Sequence, residues 1–240
     1  MPPSQVQRVA WTAGFPDVIV HTSVGRRDGH PDYDAAKRGQ RAPAARLARA
    51  LVSPAAIAGI RDALGSARPI LVPVRAIEVA GINFIPDAMA EEIALALGLP
   101  VTRDLEQVNT VGHTRANGFR RLVFQPEFDG PVTQQRSHVL VDDHVGLGST
   151  LANLRGHIEH SGGHVVLTTT LSASRNSEVL ALRPATLHAL RQKHGSALED
   201  YWQRELGFSL DLLTEAEAGY LGRTPSLDAI RAGVAAERGA

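Results

Sequence analysis

The chain has 240 residues, 25 basic and 25 acidic side chains, and no cysteine. At ~100–200 residues per domain it makes one large domain, or one with an appendage; with 43% hydrophobic residues it can fill a core, and cysteine-ligated metal or cluster sites and disulfide frameworks are excluded. Zero net charge argues against a dedicated nucleic-acid binder, which carries a basic excess, and Lys37 and Lys193 are the only lysines, so any mechanism that needs one has two candidates.

Residues 1–20 hold no apolar leader core, and no run approaches the ~20 apolar residues needed to cross a bilayer. A soluble, cytoplasmic protein is expected. Asp17–His21 reads as the first buried strand. His30–Gly39 follows, with Tyr33 and Lys37; it is either a loop entering a helix or part of a hood over a substrate. Asp34–Val52 is helical in composition, with a break expected at Pro43. Pro54–Leu64 is a second helix, closed by Gly65. Pro69–Val74 is a continuous apolar strand. Pro86–Leu97 carries Met89, Ile93 and Leu97 at four-residue spacing and is stopped by Gly98 and Pro100.

Ser137–Val141 and His164–Leu171 are further buried strands, and Ser149–His160 between them puts Leu151, Leu154 and Ile158 on one helical face. Uninterrupted apolar strands alternating with helices predict an α/β doubly wound parallel sheet with flanking helices. After Ser172 four helices are expected: Ser177–His194, Ala197–Leu206, a capped one from Thr214 to Leu221, and Ser226–Arg238. Three regions result: 1–65, a possible hood; 66–175, the α/β core; and 176–240, a helical C-terminal extension.

The informative segment is His138–Leu151. A buried strand leads into Asp142 and Asp143, then a loop with Gly146 and Gly148, then a helix opening with Ser149 and Thr150. Ligands of open α/β sheets bind beyond the carboxyl ends of the strands. There the glycines let backbone N–H groups approach a phosphate, and the helix start adds hydroxyls and a positive dipole end. The two acids would repel that phosphate at close range. One ribose away they would accept hydrogen bonds from sugar hydroxyls.

Val139–Leu151 resembles the motif by which type I phosphoribosyltransferases bind 5-phosphoribosyl 1-diphosphate (PRPP). Asp142, Asp143, Gly148 and Thr150 match that pattern in order and spacing, while Gly146 stands where the family often has a threonine that contacts the phosphate. The resemblance implies a type I phosphoribosyltransferase-like fold and transfer of a 5-phosphoribosyl group from PRPP to a nitrogenous base with release of pyrophosphate. It implies that Asp142 and Asp143 hold the ribose, and that Val145, Gly146, Leu147, Gly148, Ser149 and Thr150 hold the 5-phosphate. Arg75 and Ala76, ahead of Gly81–Asn83, would bind pyrophosphate. A mobile loop over Gln107–Arg121 would close the site, hinged at Gly112 and Gly118, with His113 and Arg115 as catalytic groups and Arg120 and Arg121 on the pyrophosphate. Mg²⁺ would be held mainly through substrate and water, with Asp142 as its protein ligand. A homodimer follows by family analogy.

His144 lies inside the loop, free to meet substrate or solvent. His157, His160 and His164 read as surface or cap residues. Two other functions suit the same residues: a PRPP-sensing regulator, and a nucleotide or phosphosugar hydrolase. A regulator that binds DNA through its tail is disfavoured by charge, since residues 196–240 carry eight acids and four bases. Arg26–Arg49, with seven bases against three acids, offsets that tail.

Overall fold

The computed structural model describes residues 6–78, 81–109 and 118–239. In chain order the elements up to the middle of the chain are β1 (Ile19–Val20), α1 (Val24–Asp28), α2 (Tyr33–Lys37), α3 (Arg41–Leu51), α4 (Pro54–Leu64), β2 (Ile70–Pro73), β3 (Ile77–Glu78), β4 (Gly81–Ile82), α5 (Ile85–Leu97) and β5 (Glu106–Gln107). There follow α6 (Gly118–Val123), β6 (Phe128–Asp129), β7 (Ser137–Val145), α7 (Ser149–His160) and β8 (His164–Ala173). The C-terminal helices are α8 (Pro184–His194), α9 (Ser196–Leu206), α10 (Glu215–Arg223) and α11 (Leu227–Arg238).

The central sheet has the order β1-β8-β7-β2, and every pairing in it is parallel. Val101 adds a parallel bridge to Leu71 on the outer side of β2. From β2 the chain crosses through α5 to Val101 at one edge; from β7 it crosses through α7 to β8 in the opposite direction. The reversal lies between β2 and β7, and at such a switch point the carboxyl ends of the two strands open a crevice.

Alternation along the strands sends side chains to both faces. Leu71, Val139, Val141, Leu167 and Leu171 pack with residues of α3, α4 and α5 such as Leu47, Ile60, Met89 and Ile93. Val72, Val74, Leu140 and Val165 pack on the other side with Leu151, Leu154 and Ile158 of α7. The α/β parallel sheet covered on both faces therefore stands as expected. A third cluster gathers Trp202, Leu198, Leu221, Ile230 and Val234 of the C-terminal helices around Leu122 of α6. The segment after 175 is thus packed onto an element from the middle of the chain.

Several boundaries differ from the sequence reading. The break in the first helical stretch falls at Arg38–Gln40, where Gly39 takes φ +89°. Pro43 sits in the first turn of α3, where its missing N–H costs nothing. α8 begins at Pro184 instead of Ser177, because Arg183 before the proline is held extended and Ala181 bridges to Thr214. Strand β7 also does not end before the acids. It runs through Asp142 and Asp143 to Val145, because Asp142, His144 and Val145 stay in register with Thr170, Ser172 and Ala173 of β8. Among the described residues no helix is long and apolar enough to cross a membrane.

Candidate active site

The end of β7 lies at the switch point, and both of its carboxylates are buried. The Asp143 backbone N–H donates to Asp142 Oδ1 at 2.8 Å. Burial, followed by the charge on Asp143, pushes the Asp142 carboxyl well above the usual range. Burial acts the same way on Asp143, but the Lys37 ammonium and hydrogen bonds from Lys37, Asn83 and Asp142 outweigh it, and its pKa is lowered. The two carboxyls are thus pushed in opposite directions, Asp142 up and Asp143 down. Lys37 Nζ, on the last turn of α2, lies 2.7 Å from Asp143 Oδ2.

His144 is turned to β8. Its Nδ1 and Nε2 lie 3.0 and 3.1 Å from the hydroxyls of Ser172 and Ser174, and Ser172 also accepts a hydrogen bond from Arg27 at 2.7 Å. Burial first, then Arg27, lowers the His144 pKa to about 4, so the ring is neutral at pH 7. Its two nitrogens are engaged by serines.

Beyond Val145 the chain turns through Gly146, Leu147 and Gly148 into α7. Gly148 caps α7 at φ +87°, a conformation that costs an L side chain ~1–2 kcal/mol. A Cβ there would also come 2.7 Å from the Leu180 side chain. Residues Asp142, His144, Val145–Leu151 and Arg121 line a small concave cradle at this turn. The Gly146 position is explained by its neighbour: a Cβ would fall 2.9 Å from a terminal nitrogen of Arg121. Without a side chain at 146, the guanidinium of Arg121 lies over the loop. Arg121, expected from the sequence to meet pyrophosphate, thus lines this cradle.

Ser149 lines the cradle, but its hydroxyl points behind the loop. Its hydroxyl donates 2.6 Å to Glu217 Oε1, because Glu217 of α10 is buried directly behind the loop. Glu217 also receives both terminal nitrogens of Arg8 at 2.6 Å and the backbone N–H of its cap residue Thr214 at 2.8 Å. Arg8 further donates to Gln125, which in turn accepts from Asn153 on α7. The Thr214 hydroxyl donates to the Leu147 carbonyl. The loop thus rests on a buried polar network that joins residue 8 to residues 214–217. Thr150 is half-buried and also lines the cradle.

The other residues expected to bind pyrophosphate have partners within the protein. Arg75 leaves the end of β2 but reaches away from the acids. It pairs with Glu106 at 2.9 Å, donates to the Arg103 carbonyl at 2.6 Å, and shares Asp87 with Arg103. Ala76 follows it with a bridge to Gln107. Arg120, beside Arg121 on α6, faces α11, with Glu237 at 3.6 Å, and stacks on Phe124. His113 and Arg115, like Gly112, lie outside the described residues. At the end of that loop, Gly118 is seated against the Tyr220 ring and Phe119 against Gly233, so α6 is fixed between α10 and α11.

Sequence reasoning did not assign Asn83, Arg8, Ser172 and Glu217 to the site. The Thr214–Glu217 capping pattern is legible in the sequence, but nothing local shows that its glutamate also serves Ser149.

No known family model matches the chain. It is 38% identical over 235 residues to Protein TraN of Escherichia coli, covering 98% of this chain and 52% of that protein. It is 37% identical over 154 residues to an uncharacterized protein of Haemophilus influenzae, covering 64% of this chain and 34% of that one. The chain thus spans about half the length of the first relative and about a third of the second. Among solved structures, it is similar to an adenine phosphoribosyltransferase (14% identity, TM-score 0.33, 56% of this chain and 75% of that one). It is also similar to Leishmania donovani UMP synthase (15%, 0.34, 76% and 33%) and to Mycobacterium tuberculosis orotate phosphoribosyltransferase in complex with PRPP (17%, 0.27, 65% and 96%).

Proposed function

We propose that the protein moves a 5-phosphoribosyl group from PRPP to a nitrogenous base and releases pyrophosphate. The observation that carries this reading is the succession of a buried acid pair, a glycine-opened turn and the start of α7 at the switch point of the sheet. A 5-phosphate in the turn meets backbone N–H groups at the helix start, the Thr150 hydroxyl and the Arg121 guanidinium. The ribose then extends back toward Asp142 and Asp143. Asp143 accepts from one sugar hydroxyl and Asp142 from its neighbour.

In the reaction, the bond from ribose C1 to the diphosphate oxygen breaks, and its electron pair leaves on pyrophosphate. A ring nitrogen of the base bonds C1 and gives up its proton. C1 becomes oxocarbenium-like, as in glycoside hydrolysis. The protein's contribution is positional and electrostatic. An Mg²⁺ ion would keep substrate and water ligands and take at most an oxygen of Asp142. Bound there, the ion would offset diphosphate charge. A homodimer and a cytoplasmic location belong to the same reading.

A PRPP-sensing regulator would use the same cradle. Incubation with PRPP, Mg²⁺ and a panel of bases, followed by pyrophosphate release, separates the readings. A transferase releases pyrophosphate only with its base, a hydrolase releases it without one, and a sensor binds PRPP and releases nothing. The double substitution Asp142→Asn, Asp143→Asn is expected to abolish PRPP binding in calorimetry; retained binding overturns the assignment.

A further inference from the structure

We infer that Lys37 is a substrate-binding residue that exchanges Asp143 for the diphosphate of PRPP, an inference that rests on the reading above. The Lys37 side chain is 26% exposed and that of Asp143 8%, so the ammonium caps the acid pair from the open side. Its helix, α2, ends against the loop expected to bind pyrophosphate. A Cβ on Gly39 would lie 3.1 Å from the Ile82 carbonyl oxygen, so the two backbones touch there. The next residue, Asn83, hydrogen-bonds Asp143. Lys37, Asn83 and Asp143 thus form one corner, where the acid pair meets the β4–α5 loop.

Two neighbouring cations are engaged away from the acid pair. Arg75 is tied to Glu106 and to the Arg103 carbonyl. Arg27 holds Ser172 and Asp28 and stacks on the Tyr33 ring. Lys37 alone among these three contacts Asp143 Oδ2, and its four-carbon stem can swing without backbone movement. A ribose hydroxyl arriving at Asp143 Oδ2 competes with the ammonium for that oxygen. A diphosphate carries more negative charge than a single carboxylate and offers the displaced ammonium a stronger partner.

The test compares two ligands, PRPP and ribose 5-phosphate, which share the phosphate and the ribose and differ in the diphosphate. Calorimetry with Mg²⁺ is run on the full chain, on Lys37→Gln, which keeps a hydrogen-bond donor without the charge, and on Lys37→Arg. Lys37→Gln is expected to lose PRPP affinity by about tenfold or more while ribose 5-phosphate changes by less than about threefold, and Lys37→Arg to recover most of the PRPP loss. Equal losses for both ligands would mean that Lys37 only holds Asp143 in place, and would overturn the inference, as would unchanged PRPP affinity. If the unsubstituted protein binds neither ligand, the phosphoribosyl reading falls and takes the inference with it.

Amine labelling of the unsubstituted protein gives a readout that needs no variant. Lys193, which donates to the carbonyls of Gly222 and Thr224, is the only other lysine and serves as the internal control. Peptide mass spectrometry is expected to show Lys37 labelled faster with ribose 5-phosphate and protected by PRPP, with Lys193 constant. Identical labelling under both ligands would overturn the exchange.

Discussion

Ser149 and Glu217, 68 positions apart, are joined by a 2.6 Å hydrogen bond that turns the first hydroxyl of α7 away from the cradle and into the protein. The same carboxylate neutralises Arg8, and both side chains of that ion pair are inaccessible to solvent. Glu217→Ala would strand the Arg8 guanidinium in the interior. Loss of one partner of a buried pair costs ~3–5 kcal/mol, so urea denaturation is expected to show a fall of that size. Adding Arg8→Met to Glu217→Ala is expected to cost less than the two single losses combined, since it removes the stranded charge. Strict additivity would mean that the two residues are not coupled.

Gly146→Ala separates folding from binding. The new Cβ meets only the far end of a flexible arginine, so Arg121 is displaced and the loop is not. Melting temperature is expected to change little. Affinity for inorganic phosphate or ribose 5-phosphate is expected to fall by about tenfold, the order of one charge-assisted hydrogen bond. Unaltered phosphate affinity would remove Arg121 from the cradle.

Gly148→Ala should behave in the opposite way. Its positive φ costs ~1–2 kcal/mol, and contact with Leu180 and Thr214 adds to that. A stability loss of at least ~2 kcal/mol is expected by chemical denaturation, together with weaker phosphate binding. A variant as stable as the parent would contradict the described turn.

His21 gives a pH prediction. Its ring is held between the Ser53 N–H and the Thr169 hydroxyl, and burial lowers its pKa from 6.5 to about 4. Above pH 6.5 the ring is neutral whether folded or unfolded, and its full contribution is present. Between pH 6.5 and 4 the unfolded chain binds a proton that the folded one refuses, so stability falls as pH drops, by at most about 3 kcal/mol. Comparing denaturation of the parent and His21→Gln at pH 7 and pH 4.5 isolates this share. The parent is expected to lose more on acidification; equal losses would assign the effect to other groups.

Much of the sheet was legible because buried parallel strands are written as apolar runs. Ile70–Pro73 and the helices Pro54–Leu64 and Ser149–His160 end where glycine, serine and proline punctuate the sequence. The extension of β7 through two aspartates was not legible, since two adjacent carboxylates read locally as a turn. They remain in the strand because Thr170, Ser172 and Lys37 supply polar surroundings from distant segments. The same reason hid the roles of Ser149, Arg75 and Arg121. A hydroxyl at a helix start or an arginine at a strand end is compatible with a ligand by type. Which way it points is decided by Glu217, Glu106 or Gly146, none of them adjacent to it in the chain. The Lys37 contact was only foreshadowed, by the rarity of lysine and by its place in an unusual segment.

The network behind the Val145–Thr150 turn has a further consequence for how tightly the turn would hold an anion. Val145–Thr150 is held by Arg8, Thr214 and Glu217, through groups that are satisfied before any ligand arrives. A loop already fixed in this way surrenders little conformational freedom when an anion enters. Its affinity would therefore depend on the integrity of residues far outside the motif, and excising residues 66–175 as a minimal binding unit would yield a segment with the motif intact and its rigidity gone.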